Sequence, residues 1–176
     1  AASRKQTKQA DKRKLALEQK IEEIQAELRE RRADLRETKR EQKLKELLKN
    51  LSRLFPAVRG RLLDLVEPRE QYQLAVTITL GKNMDAIVVD DEKTALECLH
   101  YMKEQRLGTA TFIPLDTIKV KPVDERLRQD ANAKLVMDVM KFDHAIKRAV
   151  QYACGDTVVC ETLDDAKAIA YGTGRG

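Results

Sequence analysis

The chain has 176 residues, room for one domain and an appendage, and 42% of them are apolar against 36% charged. No apolar run approaches the roughly 20 residues that a bilayer span requires, and Ala1-Ala2-Ser3-Arg4-Lys5 lacks the apolar core of a secretory leader. The formal charge of +5 is uneven: residues 1–53 hold 17 Lys and Arg against 10 Asp and Glu (+7), and the remainder 17 against 19 (−2). The two parts therefore need separate readings.

From about Asp11 to Arg53 the sequence has no Gly or Pro and is dominated by Glu, Lys, Arg, Leu and Gln, which predicts one long helix. Leu17, Ile21, Ile24, Leu28 and Leu35 recur on steps of four and three, a coiled-coil seam broken by Arg31, Thr38 and Gln42. A second apolar set, Leu44, Leu47, Leu48, Leu51 and Leu54, follows in a shifted phase, as expected where a coiled coil meets a globular domain. Nothing else in the chain has comparable length, so the seam calls for a partner helix outside this segment. Arg29, Arg31, Arg32, Arg36 and Lys39 have two readings, a strip that contacts phosphates or a solvated face with pairs such as Glu27–Arg31 and Glu41–Lys45.

After Pro56, Arg61 to Val66 reads as a strand closed by Glu67-Pro68. Tyr72 to Leu80 fits both periods, and an internal echo decides for helix. Ala75-Val76 followed by Gly81 recurs as Ala149-Val150 followed by Gly155, and the second copy has clear helical spacing at Ile146, Ala149, Val150 and Ala153. Each copy runs on into an apolar strand, Ala86 to Val89 and Thr157 to Cys160. Each strand then leads to a capped helix, opened by Asp90 or Asp91 in the first copy and by Thr162 with Asp165 in the second. Between the copies, Thr111 to Asp116 reads as a short strand stopped by Pro114, and Lys134 to Met140 contains another. The fold class is α/β (α+β), a short mixed sheet preceded by a long coiled-coil helix.

No catalytic constellation emerges. Gly81-Lys82 has Val76 and Asn83 where a phosphate-binding loop needs Gly and Ser or Thr. Gly172-Thr173-Gly174-Arg175-Gly176 follows a helix and opens none, so residues 173–176 read as a flexible tail. His100 and His144 are far apart and in no ligand motif, and Asp90-Asp91-Glu92 is the acidic start expected of a helix. Cys98, Cys154 and Cys160 have no metal-ligand spacing and lie in apolar stretches, as reduced packing residues do.

Residues 60–172 resemble the hinge domain of the SMC (structural maintenance of chromosomes) family. The stretches that carry the resemblance are Gly60 to Leu65, Tyr72 with Ala75-Val76 and Leu80-Gly81, Asp85 to Asp90, Thr94-Ala95, and Thr111 to Asp116. Ala149 to Gly155 and Val159-Cys160 are most similar to the cohesin SMC subunit of the first type, including its meiotic form. The resemblance divides the chain into a coiled-coil arm (1–53), the first subdomain of the hinge (54–172) and the tail. It implies a non-catalytic dimerisation module without a cofactor, located on chromosomes in the nucleus. The implied partners are the second cohesin SMC subunit through its hinge and a returning helix of the same protein along the arm; the +7 arm, which has no recognition motif, adds DNA, bound weakly and without sequence preference. It implies no membrane.

Hinges of this family pair through contacts between a first and a second subdomain. The residues expected at such a contact are Phe112 and Ile118, which flank Pro114 at a strand edge, and then Leu163 with Lys167 at the start of the last helix. For Phe112 and Leu163 a place in the core is the open alternative. Expected phosphate contacts are Arg29, Arg31 and Arg32 on the arm and Lys119, Lys121, Arg126 and Arg128 on the globular part.

Overall fold

The computed structural model describes the backbone of residues 2–129 and 132–171 and, within these, side chains from residue 13 onward. The chain divides into two compact units, Ala1–Glu46 and Leu47–Gly176. Helix α1, Ala2–Leu54, makes up the first unit and supplies the opening of the second. Within the first unit the seam is uncovered, with Leu17, Ile21, Ile24, Leu28 and Leu35 between 48% and 62% exposed. Within the second, Leu47 and Leu51 are buried, Leu51 completely. The break between units thus falls at Leu47, ahead of the boundary expected at residue 53, because these leucines already belong to the globular core.

Among the described residues the second unit has seven short strands: β1 (Val58–Arg61), β2 (Val66–Pro68), β3 (Ile87–Val89), β4 (Phe112–Pro114), β5 (Ala133–Leu135), β6 (Met140–Phe142) and β7 (Val158–Cys160). Helices α2 (Gln73–Leu80), α3 (Glu92–Glu104), α4 (Lys147–Cys154) and α5 (Leu163–Tyr171) accompany them. β1, β3 and β4 form a mixed sheet with β3 in the centre, antiparallel to β1 and parallel to β4. β5 and β7 form a separate antiparallel pair, and β2 pairs antiparallel with β6.

The echo seen in the sequence is part of a longer structural repeat. Each copy runs strand, 3-10 turn, strand, 3-10 turn, helix, strand, helix, β1 to α3 in the first and β5 to α5 in the second, with one further 3-10 turn (Gly81–Asn83) ahead of β3 in the first. Leu62, Val66, Tyr72, Val76 and Leu80 of the first copy and Val136, Met140, Ile146, Val150 and Cys154 of the second occupy equivalent places in one buried core. Gly81 and Gly155 end α2 and α4 with φ of 47° and 52°, a left-handed turn that costs glycine little because it has no Cβ. β2 and β6, themselves equivalent, face each other in the register Val66↔Phe142, Glu67↔Lys141, Pro68↔Met140. The equivalent residues Glu67 and Lys141 stand directly opposite, as a local twofold between the copies requires.

Two expectations change. Arg61 to Val66 is not one strand: it ends β1, makes a 3-10 turn at Leu62–Leu65 and opens β2. Lys134 to Met140 does the same around a 3-10 turn at Val136–Val139. The turn lets one apolar run leave its first sheet and join the central β2–β6 pair while Leu62 and Val136 stay buried. The helix reading of Tyr72 to Leu80 holds, with Glu70–Tyr72 as a 3-10 entry.

Candidate functional site

The first interface candidate, Phe112, lies on β4, the outer strand of its sheet. Its neighbour Ile113 is 1% exposed and points into the core, so by the alternation of a strand Phe112 points the other way, where it is half-buried. Ile118 is partly buried against the core, and its carbonyl accepts a hydrogen bond from Arg148 Nη2 at 2.6 Å. A second bond from Arg148 Nη1 to the Asp116 carbonyl (3.1 Å) helps α4 hold the segment after β4 in place. Phe112 and Ile118 are thus on one short stretch, but Ile118 already has a share in the core.

Leu163 is 69% exposed at the first turn of α5, which removes the core alternative for it. Lys167, one turn on, lies 4.0 Å from Asp164. The helix opens with the expected capping geometry, Thr162 Oγ accepting from the Asp165 N–H (3.1 Å) while its hydroxyl donates to the Asp165 carboxylate (2.6 Å). α3 opens on Asp91, whose carboxylate accepts from the Thr94 N–H at 2.7 Å. The two interface candidates belong to different sheets, Phe112 beside β3 and Leu163 after β7.

The basic residues sort into two groups. Arg29, Arg32, Lys119 and Lys121 are exposed and carry no ion pair among the described residues. Arg31 donates to Glu27 at 2.7 Å, Arg126 is held by Asp124 at 2.8 Å, and Arg128 bridges Asp138 (2.8 Å) and Glu125. The hydrogen bonds that Arg128 donates to Asp138 and then to Glu125 raise its pKa further above the ordinary value. A carboxylate already offsets the charge of each of these three guanidiniums, which favours Lys119 and Lys121 among the globular candidates.

Sequence reasoning missed two polar clusters. Arg61 is 8% exposed, and its guanidinium takes Asp64 at 2.7 Å and Asp85 at 3.4 Å, fixing the exit from β1 to the entry of β3. The tetrapeptide Arg-X-X-Asp was the available signal, but it is ordinary on a surface. Across the repeats, Lys134 Nζ lies 3.0 Å from the hydroxyl of Tyr72 and 3.4 Å from Glu161, and stands 5.6 Å from the centre of the Tyr72 ring. The hydrogen bond from Lys134 lowers the Tyr72 pKa, and the same bond raises that of Lys134. The recess beside this cluster has a volume of about 90 Å³, far below the several hundred Å³ of a small-molecule site. Among the described residues no group of His, Cys, Asp and Glu is placed to hold a metal ion, and no helix is long and apolar enough to cross a membrane.

Residues 55–170 match the family model of the SMC proteins flexible hinge domain, and the chain belongs to that family. Its relatives include "Structural maintenance of chromosomes protein 1" of Arabidopsis thaliana, 44% identical over 157 residues, which cover 88% of this chain and 13% of that protein. The protein of the same name from Saccharomyces cerevisiae is 38% identical over 88% of this chain and 12% of its own length. The chain therefore spans about an eighth of these relatives. Among solved structures, an asymmetric dimer of the Geobacillus stearothermophilus SMC hinge domain matches with a TM-score of 0.65 at 32% identity, covering 73% of this chain and 53% of that one. A structure described as the folded elbow of cohesin matches with a TM-score of 0.67 at 38% identity, over 81% of this chain and 21% of its own.

Proposed function

We propose that this chain is the non-catalytic pairing module of a cohesin-type SMC protein of the first type, joining the hinge of a second SMC chain in a ring that encloses DNA and holds sister chromatids together. The observation that carries this is identity of 38–44% to the "protein 1" relatives, running along the hinge unit and into α1. An uncovered heptad seam on α1 supports a returning helix from the same protein, since a lone helix is stabilised mainly by a packed face. The half-buried outward Phe112 and the exposed Leu163 supply apolar surface for the hinge contact, with Ile118 and Lys167 beside them. The doubled fold supports reading the two repeats as the two halves of the hinge, with three strands in the first sheet and two in the second among the described residues.

The test is to mix the chain with an intact second SMC hinge and follow the complex by light scattering. Apolar pairing gives a 1:1 complex that persists as salt is raised, whereas a complex that dissolves between 50 and 200 mM salt, a range over which phosphate-type contacts weaken by orders of magnitude, would reject it.

A second reading, contact with DNA phosphates, is favoured only by the exposed Arg29, Arg32, Lys119 and Lys121, which carry no ion pair among the described residues. It predicts micromolar or weaker affinity, on the order of 10⁻⁴–10⁻⁶ M, falling steeply with salt and indifferent to sequence. Replacing Lys119 and Lys121 by Gln should lower the salt slope by nearly two, and an unchanged slope removes these residues from the contact.

A further inference from the structure

The polar cluster where the two copies meet is not demanded by the repeat. Tyr72 of the first copy answers to Ile146 of the second, and Lys134 of the second answers to Gly60 of the first. The other side of the local twofold therefore has no polar side chain at these two places. Tyr72 keeps a ring in the core, with the residue 5% exposed, and adds a hydroxyl that the packing does not require. That hydroxyl ends in solvent rather than in the core: it touches the ammonium of Lys134, a side chain 46% exposed, and both residues line the recess with Val159, Glu161 and Asp165.

The groups around the hydroxyl favour its ionised form. Its oxygen accepts hydrogen bonds from Lys134 and then from Gln71, and these lower the Tyr72 pKa because donors steady a phenolate more than a phenol. No acceptor for the phenol proton is found among the described residues. Glu161, 3.4 Å from Lys134, works in the opposite direction and is the weaker influence. The other described tyrosines lack this setting. Tyr101 packs edge-on against Phe55, and Tyr152 and Tyr171 are exposed, with no hydrogen bond from a Lys or Arg to any of the three hydroxyls among the described residues.

We infer that Tyr72 is a nucleophilic modification site, whose oxygen takes the sulfonyl group of a small sulfonyl fluoride that enters the recess between the copies. The Tyr72 oxygen attacks sulfur, an O–S bond forms, the S–F bond breaks and fluoride leaves. The phenol proton passes to the buffer, and nothing is oxidised or reduced. Lys134 has three N–H donors, of which Tyr72 and Glu161 take two, so the third can meet the departing fluoride. A recess of about 90 Å³ sets the size of the reagent: it admits a methanesulfonyl group and not a drug-sized arene. Because the ring comes from one copy and the ammonium from the other, the reactivity exists only while the two copies are docked.

The test treats the folded chain with methanesulfonyl fluoride at pH 8 and follows each tyrosine by peptide mass mapping. Tyr72 should be modified about tenfold faster or more than Tyr171, although Tyr171 is far more exposed, and the preference should vanish in denaturant. Lys134→Met should bring Tyr72 down to the rate of Tyr171, and Lys134→Arg should restore most of the difference. Glu161→Gln, a change at an exposed side chain, should raise the Tyr72 rate about twofold or more, and it decides the matter if Lys134→Met fails to fold. Modification of Tyr72 no faster than of Tyr171, or reaction at Lys134 in its place, overturns the inference. A fast Tyr72 that responds to neither Lys134→Met nor Glu161→Gln also overturns it, since the cluster would then not be the cause. No second hinge takes part, so these results leave the proposed pairing untouched.

Discussion

Phe112 and Ile113 are adjacent on one three-residue strand and are expected to answer substitution in opposite ways. Ile113 is 1% exposed, and Ile113→Ala removes three buried carbons at about 0.8 kcal/mol each and leaves a cavity, for a cost of about 3–4 kcal/mol. At about 2.1 cal/mol/K per residue over the Leu47–Gly176 unit, the unfolding entropy is roughly 0.27 kcal/mol/K, so the melting temperature should fall by about 11–15 °C. Phe112→Asp alters an outward, half-buried position on an edge strand and should cost about 1 kcal/mol, or about 4 °C. Binding to a second SMC hinge should show the reverse order. An uncompensated carboxylate at an apolar contact should weaken it about 100-fold, while Ile113→Ala, assayed well below its melt, should bind within a few-fold of the parent. The assays are a circular dichroism melt and titration calorimetry with the intact partner hinge. If Phe112→Asp lowers the melt as far as Ile113→Ala, Phe112 belongs to the core and the interface assignment is wrong. If it melts as expected and still binds normally, the contact lies elsewhere.

Along α1, Leu51→Ala should cost about 2–5 kcal/mol and Leu28→Ala less than about 0.5 kcal/mol in this chain, because the first is fully buried and the second 48% exposed; equal effects in a denaturant titration would contradict that division. Arg61→Met should destabilise by about 2–4 kcal/mol by leaving Asp64 and Asp85 without their shared cation, and a second change of Asp85→Asn should recover part of the loss. Burial pushes the thiols of Cys98 and Cys154 up to about 11, against an ordinary value of 9.0. The folded state keeps these protons between pH 9 and 11 while the unfolded state releases them. Stability is therefore unaffected below pH 9 and falls above it, by at most about 1.4 kcal/mol per pH unit for each thiol. Iodoacetamide at pH 8 should modify the half-buried Cys160 first and the other two only as fast as the protein opens, which peptide mass mapping would check.

Much of this protein is set by local sequence. A stretch free of Gly and Pro and rich in Glu, Lys and Leu forms α1 whatever surrounds it, and Asp91 and Thr162 with Asp165 mark helix starts by chemistry that acts within one turn. The echo of Ala-Val and Gly at equal spacing likewise identified α2 as a helix despite its β-branched residues. What local sequence did not carry was where an apolar run changes partners. Leu62 to Val66 satisfies strand spacing, and only the antiparallel meeting of β2 with β6, 74 residues away in the chain, makes its middle a 3-10 turn. The same holds for Arg61, whose burial depends on Asp85 being brought to it by β3. Leu163 and Phe112 look alike as isolated apolar residues, yet one is exposed and the other half-buried. The difference follows from their places in the fold: Phe112 lies on a strand paired with β3, and Leu163 stands in the first turn of a helix that buries none of its described residues. Periodicity records which side of an element is apolar, and the tertiary structure decides whether anything in this chain covers it.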